Sequence, residues 1–229
     1  TSIKLAIAGK ADQAALAQHM PEFLKLLEQK ELGVRNAALL MIYSAVDHMP
    51  QLVGAFMKDL IMPSLYEVAE FKLERKVNLG PFTHKVDDAL PLRKASLSIF
   101  ATCLEKLPAS LDITTFMPVL AKALADVEDV QLQAHQIVIS MCLRQPTYLV
   151  AAVESFSEPL EKTIHKKPGA KTGTELERLN EWIKSALRTM VALSKVEGTL
   201  NSRKFAEFYE RTKANTKFRS ILEALHEER

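Results

Sequence analysis

Val34-Arg35-Asn36-Ala37-Ala38-Leu39-Leu40-Met41-Ile42-Tyr43-Ser44-Ala45-Val46-Asp47-His48-Met49 carries apolar residues at Val34, Ala37, Ala38, Met41, Ile42, Ala45, Val46 and Met49, in alternating steps of three and one. That spacing is the stripe of a helix with one buried face. The rhythm returns at Leu92, Ala95, Ser96, Ile99, Phe100, Cys103, Leu104 and Leu107, and again at Ile183, Ala186, Leu187, Met190, Val191 and Ser194. A looser copy runs Val130, Ala134, Ile137, Val138, Met141, Cys142. Ala37, Ala95, Ala134 and Ala186 hold the same early position in each copy, where a small side chain lets a neighbouring helix come close.

Each copy follows a shorter amphipathic segment with a proline, expected near the start of its helix: Pro21, Pro63, Pro118 and Pro159. A first turn tolerates proline because its missing N–H has no intrahelical partner there. Turn residues such as Glu31-Leu32-Gly33 and Asp126-Val127-Glu128 separate the two helices. Pro21 and Pro63 lie 42 positions apart, Pro118 and Pro159 41 apart. A helix-turn-helix unit with a period of about 40–47 residues is the HEAT signature, and such units bury their faces only by stacking on one another. The expected fold is therefore all-α, an armadillo-like HEAT-repeat solenoid over residues 1–229 with about four helical hairpins. Arg35 and Arg93, which open second helices, are expected to pair with the acidic inter-helix turns. The alternative for each is an ordinary surface charge.

The period also locates an insertion. Ala37 and Ala95 are 58 positions apart, whereas Ala95 and Ala134 are 39 apart, which leaves about nineteen surplus residues between the helices of the second unit. They fall in residues 71–90. Phe71, Leu73, Arg75 and Val77 alternate with charged partners, Asn78-Leu79-Gly80-Pro81 breaks the run, and Phe82, His84, Val86 and Asp88 alternate again. Period two around a Gly-Pro break predicts a β-hairpin. A lone two-stranded ribbon is marginal in water, so a partner surface is the natural reason for one to project from a helical stack. The candidate contact residues are Phe71, Leu79 and Phe82 as apolar anchors with Arg75, Lys76, Val77, Gly80, Pro81, His84, Lys85, Val86, Asp87 and Asp88 around them. The alternative is an excursion that packs back on its own helices.

A second interruption, His165 to Gly173, is basic and rich in helix breakers, and is read as a mobile, solvated loop. Thr174 and Glu177 have the spacing of a capping box for the helix that follows. Gly169-Ala170-Lys171-Thr172 lacks the glycine spacing of a phosphate-binding loop. The tail supplies Phe205, Phe208, Tyr209, Phe218, Ile221, Leu222 and Leu225 at helical spacing, suited to closing the apolar end of the stack.

Composition agrees with this reading. The chain has 48% hydrophobic residues, only 7 glycines, and 30 basic against 28 acidic residues for a formal net charge of +2. That balance does not favour a polyphosphate partner, so no nucleic-acid partner is expected. No segment approaches the apolar length of a membrane span, and Thr1–Gly9 has no signal-peptide core, which points to a reducing, intracellular setting without a membrane partner. Cys103 and Cys142 are read as buried small hydrophobes in place of a disulfide. The six histidines are scattered one per element, and neither cysteine has a companion ligand at zinc spacing. Asp87-Asp88 is a poor carboxylate dyad, because strand neighbours point to opposite faces. Nothing here carries a catalytic signature, so neither an enzyme nor a cofactor or small-molecule substrate is expected.

The stretch Val77 to Leu90, with Gly80-Pro81-Phe82 followed by Val86-Asp87-Asp88 and then Leu92-Arg93-Lys94-Ala95, resembles the C-terminal part of the cullin-associated, neddylation-dissociated proteins, also described as TATA-binding-protein-interacting proteins. The similarity continues at Leu111-Asp112-Ile113 and from Val153 to Leu160. The family usually carries glycine where Ala89 stands. The resemblance implies a large HEAT solenoid that wraps cullin–RING ubiquitin ligases lacking the ubiquitin-like modifier. It also implies a hairpin that competes with the substrate-receptor adaptor near the N-terminal region of the cullin. The family's hairpin maps onto the insertion located by the repeat period. The expected role is thus an assembly or receptor-exchange factor in the cytoplasm and nucleus. A cargo-binding HEAT scaffold of the transport type is the alternative from another class, and contact with the TATA-binding protein is a third reading suggested by the family's other name.

Overall fold

The structure, a computed structural model, describes residues 7, 9, 13–80 and 82–227; Pro81 and the side chains of Leu79 and Phe82 lie outside the described residues. The chain forms two compact units, Thr1–Asp112 and Ile113–Arg229.

In the first unit, α1 (Gln13–Leu24) runs into a 3-10 turn, Lys25–Glu28, and then α2 (Leu32–His48). Short 3-10 turns and a π-helical turn over Met57–Ile61 lead to α3 (Met62–Glu70). Strands β1 (Glu74–Leu79) and β2 (Phe82–Asp87) precede α4 (Leu90–Lys106). The second unit contains α5 (Ile113–Ala123), α6 (Glu128–Arg144), α7 (Pro146–Ile164), α8 (Thr174–Ser194), α9 (Arg203–Ala214) and α10 (Arg219–Glu227).

The apolar stripes sit where the period of 3.6 puts them. In α2, Ala38, Met41, Ile42, Ala45 and Val46 are buried; in α4, Leu92, Ala95, Ile99, Phe100, Cys103 and Leu104 are. These two helices pack on each other, and α3 packs on α4. In the second unit α6 packs on α8, α7 on α8, and α5 on α7. Burying a Phe or Leu side chain contributes about 1.5–3 kcal/mol, so interfaces of this kind, and not helix propensity, hold the fold. The tail closes this unit as its spacing suggests. Phe205, Phe208 and Tyr209 are buried with α9 packed on α7, and Phe218, Leu222 and Leu225 are buried with α10 packed on α8.

Four local expectations are corrected. Ala95, Ala134 and Ala186 are buried, but Ala37, in the second turn of α2, is exposed although Met41 one turn on is buried. Only Pro63 occupies a first turn; α1, α5 and α7 begin well upstream, so Pro21, Pro118 and Pro159 lie inside their helices. Pro21 and Pro118 are on exposed faces, where water can satisfy the carbonyl left without its N–H partner. The Thr174–Glu177 capping box does not form, since the helix starts one residue early. Gly173, at φ +54°, takes the N-cap, and its carbonyl accepts from the N–H groups of Leu176 and Glu177. Cys103 is buried but Cys142 is only half-buried; both are free thiols, pushed up to about 12 by burial.

Candidate protein-binding interface

The two strands pair antiparallel in the register Glu74↔Asp87, Arg75↔Val86, Lys76↔Lys85, Val77↔His84, Asn78↔Thr83 and Leu79↔Phe82. The hairpin falls between α3 and α4, where the repeat period located the surplus. Gly80 follows β1 at φ +65°, a left-handed conformation that glycine adopts without steric cost.

Because side chains alternate along a strand, the register sorts the arm into two faces. Glu74, Lys76, Asn78, Thr83, Lys85 and Asp87 share one. On it the Thr83 hydroxyl donates to Asn78 Oδ1 at 3.0 Å, and Lys85 pairs with Glu74 at 3.4 Å. Arg75, Val77, His84 and Val86 share the other, where Val86 keeps 37% of its surface exposed and His84 and Arg75 are exposed beside it. On the first face Glu74, Asn78, Thr83 and Lys85 pair within the hairpin, while on the second Val86 is exposed and Val77 half-buried beside the exposed Arg75 and His84. Apolar centres with Arg and aromatic neighbours are the composition of protein contact surfaces.

The base of the arm is built differently. Arg93, in the first turn of α4, has no exposed surface, so it is not an ordinary surface charge. Its guanidinium donates to the Phe71 carbonyl at 2.9 Å and pairs with Asp87 at 2.6 Å. Asp87 Oδ1 also accepts from the Leu73 and Ala89 N–H groups, both at 3.0 Å. Desolvation on its own would raise the Asp87 carboxyl, but the Leu73 N–H, Arg93 and the Ala89 N–H outweigh it and hold the group below the usual carboxylate range. Asp88 turns the other way and pairs with Arg75 at 2.5 Å. The two aspartates therefore sit apart on separate arginines, as strand alternation requires. Ala89, in the N-cap position of α4 at φ −89°, has an ordinary backbone that needs no glycine.

Phe71 belongs to this base and not to the tip: it is half-buried, with the Arg35 guanidinium 5.9 Å from its ring centroid. Arg35 itself pairs with Glu67 of α3 at 3.2 Å, not with the turn before its own helix. In the second unit the acidic turn does find a cation, but from α8: Arg178 pairs with Glu128 at 2.6 Å and Asp129 at 3.0 Å. Of the residues named from sequence, the structure therefore brings Arg75, Val77, His84 and Val86 to one face of the arm and Lys76 and Lys85 to the other. It assigns Asp87 and Phe71 to the base. Leu79, Gly80 and Phe82 lie at the tip. The sequence reading left Leu73, Thr83 and Ala89 out of the candidate contacts and put Asn78 and Leu79 in the break, whereas β1 runs on to Leu79 and Asn78 pairs with Thr83.

Loop 165–173 is exposed throughout but tethered at its start. The Lys166 ammonium lies 4.2 Å from the Trp182 ring centroid, and the His165 ring packs edge-on against Phe218 at 5.9 Å. Among the described residues no group of three or more His, Cys, Asp or Glu could hold a metal ion, and no helix is long and apolar enough to cross a membrane.

Comparison with known proteins agrees with this architecture. A designed armadillo repeat protein in complex with a (KR)4 peptide superposes with a TM-score of 0.53 over 99% of this chain and 89% of that chain, at 13% identity, which bears on fold alone. The chain is 32% identical over 97% of its length to the cullin-associated NEDD8-dissociated protein 1 of Dictyostelium discoideum, covering 19% of that protein. It is 30% identical over 93% of its length to cullin-associated NEDD8-dissociated protein 2 of Rattus norvegicus, covering 17% of it. The chain thus spans about a fifth of the length of these curated relatives. The family model described as TIP120, TATA-binding protein interacting, matches residues 52–213. A HEAT/armadillo-type helical fold, a hairpin at the insertion and this match over most of its length together establish that the chain belongs to the TIP120 family of cullin-associated proteins.

Proposed function

We propose that this chain is a cullin-binding regulator of ubiquitin-ligase assembly, whose hairpin 74–87 competes with the substrate-receptor adaptor for the N-terminal region of a cullin lacking the ubiquitin-like modifier. It acts by binding and not by catalysis, needs no cofactor, nucleic acid or membrane, and works in the cytoplasm and nucleus. The observation that carries this reading is the sorting of the arm into a face whose Glu74, Asn78, Thr83 and Lys85 pair within it and a face that leaves Val86 exposed, with Val77 half-buried, beside Arg75 and His84. A hairpin that served only its own fold would turn Val86 toward the helices. The relatives' names, which join them to cullins, support the choice of partner.

Displacement coupled to binding requires that hairpin and adaptor lower each other's affinity by the same factor. The test titrates the chain into a labelled adaptor–cullin complex and repeats this with the Leu79→Ala/Phe82→Ala double variant and with Val77→Ser/Val86→Ser. Loss of displacement in both variants, with helical circular dichroism unchanged, is expected. Displacement that survives both substitutions refutes the mechanism, and capture of cullin without any displacement would favour a passive scaffold.

A further inference from the structure

The base of the hairpin carries more order than a connection between two helices requires. Two strands flanked by turns would ordinarily swing about their junctions, since a lone hairpin is marginal and each ordered residue costs backbone entropy of about 1–2 kcal/mol. Here one guanidinium and one carboxylate tie down both ends. Arg93 holds the Phe71 carbonyl before β1 and Asp87 at the end of β2, while Asp87 holds the N–H groups of Leu73 and Ala89. The Asp88 N–H donates to the Leu73 carbonyl at 3.0 Å, which closes the ladder at the same level. Arg93 is fully buried and the Asp87 side chain is only 15% exposed, so neither is offered to a partner. By contrast the neighbouring pairs, Lys85–Glu74 and Arg75–Asp88, are more open to solvent, where ion pairs contribute little.

We infer that Asp87 and Arg93 form a clamp that fixes the direction of the hairpin on α4, so that the strength of its protein contact depends on two positioning residues which the partner does not touch. The inference rests on the proposed function for the identity of the contact, but not for the clamp itself. An arm already held in its bound direction loses less freedom on binding, and that saving appears as affinity. Asp87→Asn keeps the shape and the acceptor for the two N–H groups but replaces the charge-assisted contact with the buried Arg93 guanidinium by a weaker neutral one.

The experiment compares the full chain with Asp87→Asn, with Lys85→Gln as a control that breaks an exposed hairpin pair, and with a variant in which residues 74–87 are replaced by a Gly-Ser linker. Two readouts are used: amide hydrogen exchange across residues 73–88, and displacement of a labelled adaptor from a cullin complex. In Asp87→Asn, exchange rises and displacement weakens, each by about tenfold, with helical content unchanged. Exchange in Lys85→Gln stays at the wild-type level. Wild-type exchange in Asp87→Asn overturns the clamp. Raised exchange with undiminished displacement, while the linker variant is inactive, overturns its link to affinity. If the linker variant displaces adaptor as well as the intact chain does, the proposed function fails instead, and the exchange comparison still decides the clamp.

Discussion

Acidification from about pH 7 to about pH 5 should destabilise the second unit through one side chain, His135. It lies on α6 against α8 with no exposed surface; its Nδ1 is 3.0 Å from Ser185 Oγ, and Nε2 is buried with no hydrogen-bond partner among the described residues. Charging the ring would place an imidazolium in an apolar interface, and burial pushes its pKa from 6.5 down to about 4. The folded-state value lies below the unfolded one, so between these values the unfolded chain takes up a proton that the folded chain refuses, and stability rises with pH through this window. A gap of this size corresponds to about 3 kcal/mol once both states have titrated, of which about 2 kcal/mol falls between pH 7 and pH 5. Asp87, Glu158 and Glu207, whose carboxyls are held low by their partners, lose their contribution only below about pH 4.5 and do not confuse the measurement. The single tryptophan, Trp182, is buried on α8 in the same interface, so its fluorescence reports unfolding where the histidine sits. Urea titrations at the two pH values, for the wild type and for His135→Leu, give the comparison. The wild type should lose about 2 kcal/mol and the variant almost none. Equal stability of the wild type at both values, or the same loss in the variant, refutes the argument.

Gln131 is a hub in that interface: its Oε1 accepts from Thr163 Oγ1 at 2.7 Å and Trp182 Nε1 at 3.0 Å, and its Nε2 donates to the Asp126 carbonyl at 2.8 Å. Gln131→Leu strands two buried donors and should cost about 3 kcal/mol by urea unfolding, against about 1 kcal/mol for Thr163→Val. Phe156→Ala, at a fully buried position of α7, should cost about 3–5 kcal/mol from lost burial and the cavity left behind, read from the same titration. Cys103 and Cys142, with thiols pushed up to about 12, should resist iodoacetamide at about pH 8 in the native chain and react fully in urea, as counted by mass spectrometry.

The helices and the hairpin were legible because their signals are local. A buried face repeats every three or four residues and a strand every two, so Met41, Ile42, Phe100 and Ile183 announced their burial, and the alternation through Arg75, Val77, His84 and Val86 announced the ladder. The partners of the charged groups were only partly legible. Arg93 does pair with Asp87 of the segment before its helix, but it also reaches the Phe71 carbonyl, 22 positions away, and Arg35 reaches Glu67, 32 positions away, in place of the nearer acidic turn. The capping box failed over a one-residue shift in where α8 begins, a boundary that spacing does not set.

By itself the sequence determined that this is a chain of helical hairpins with one insertion, and that Asp87 and Asp88 point apart. Only the tertiary structure decided which aspartate turns inward. Alternation along a strand assigns opposite faces without saying which one meets a helix, and that depends on how α4 leaves the hairpin. The same packing buried Arg93, expected only to pair with the acidic segment before its helix, and made it the post that holds both ends of the arm. Burial and long-range pairing are properties of elements brought together, and no spacing rule within one element can contain them.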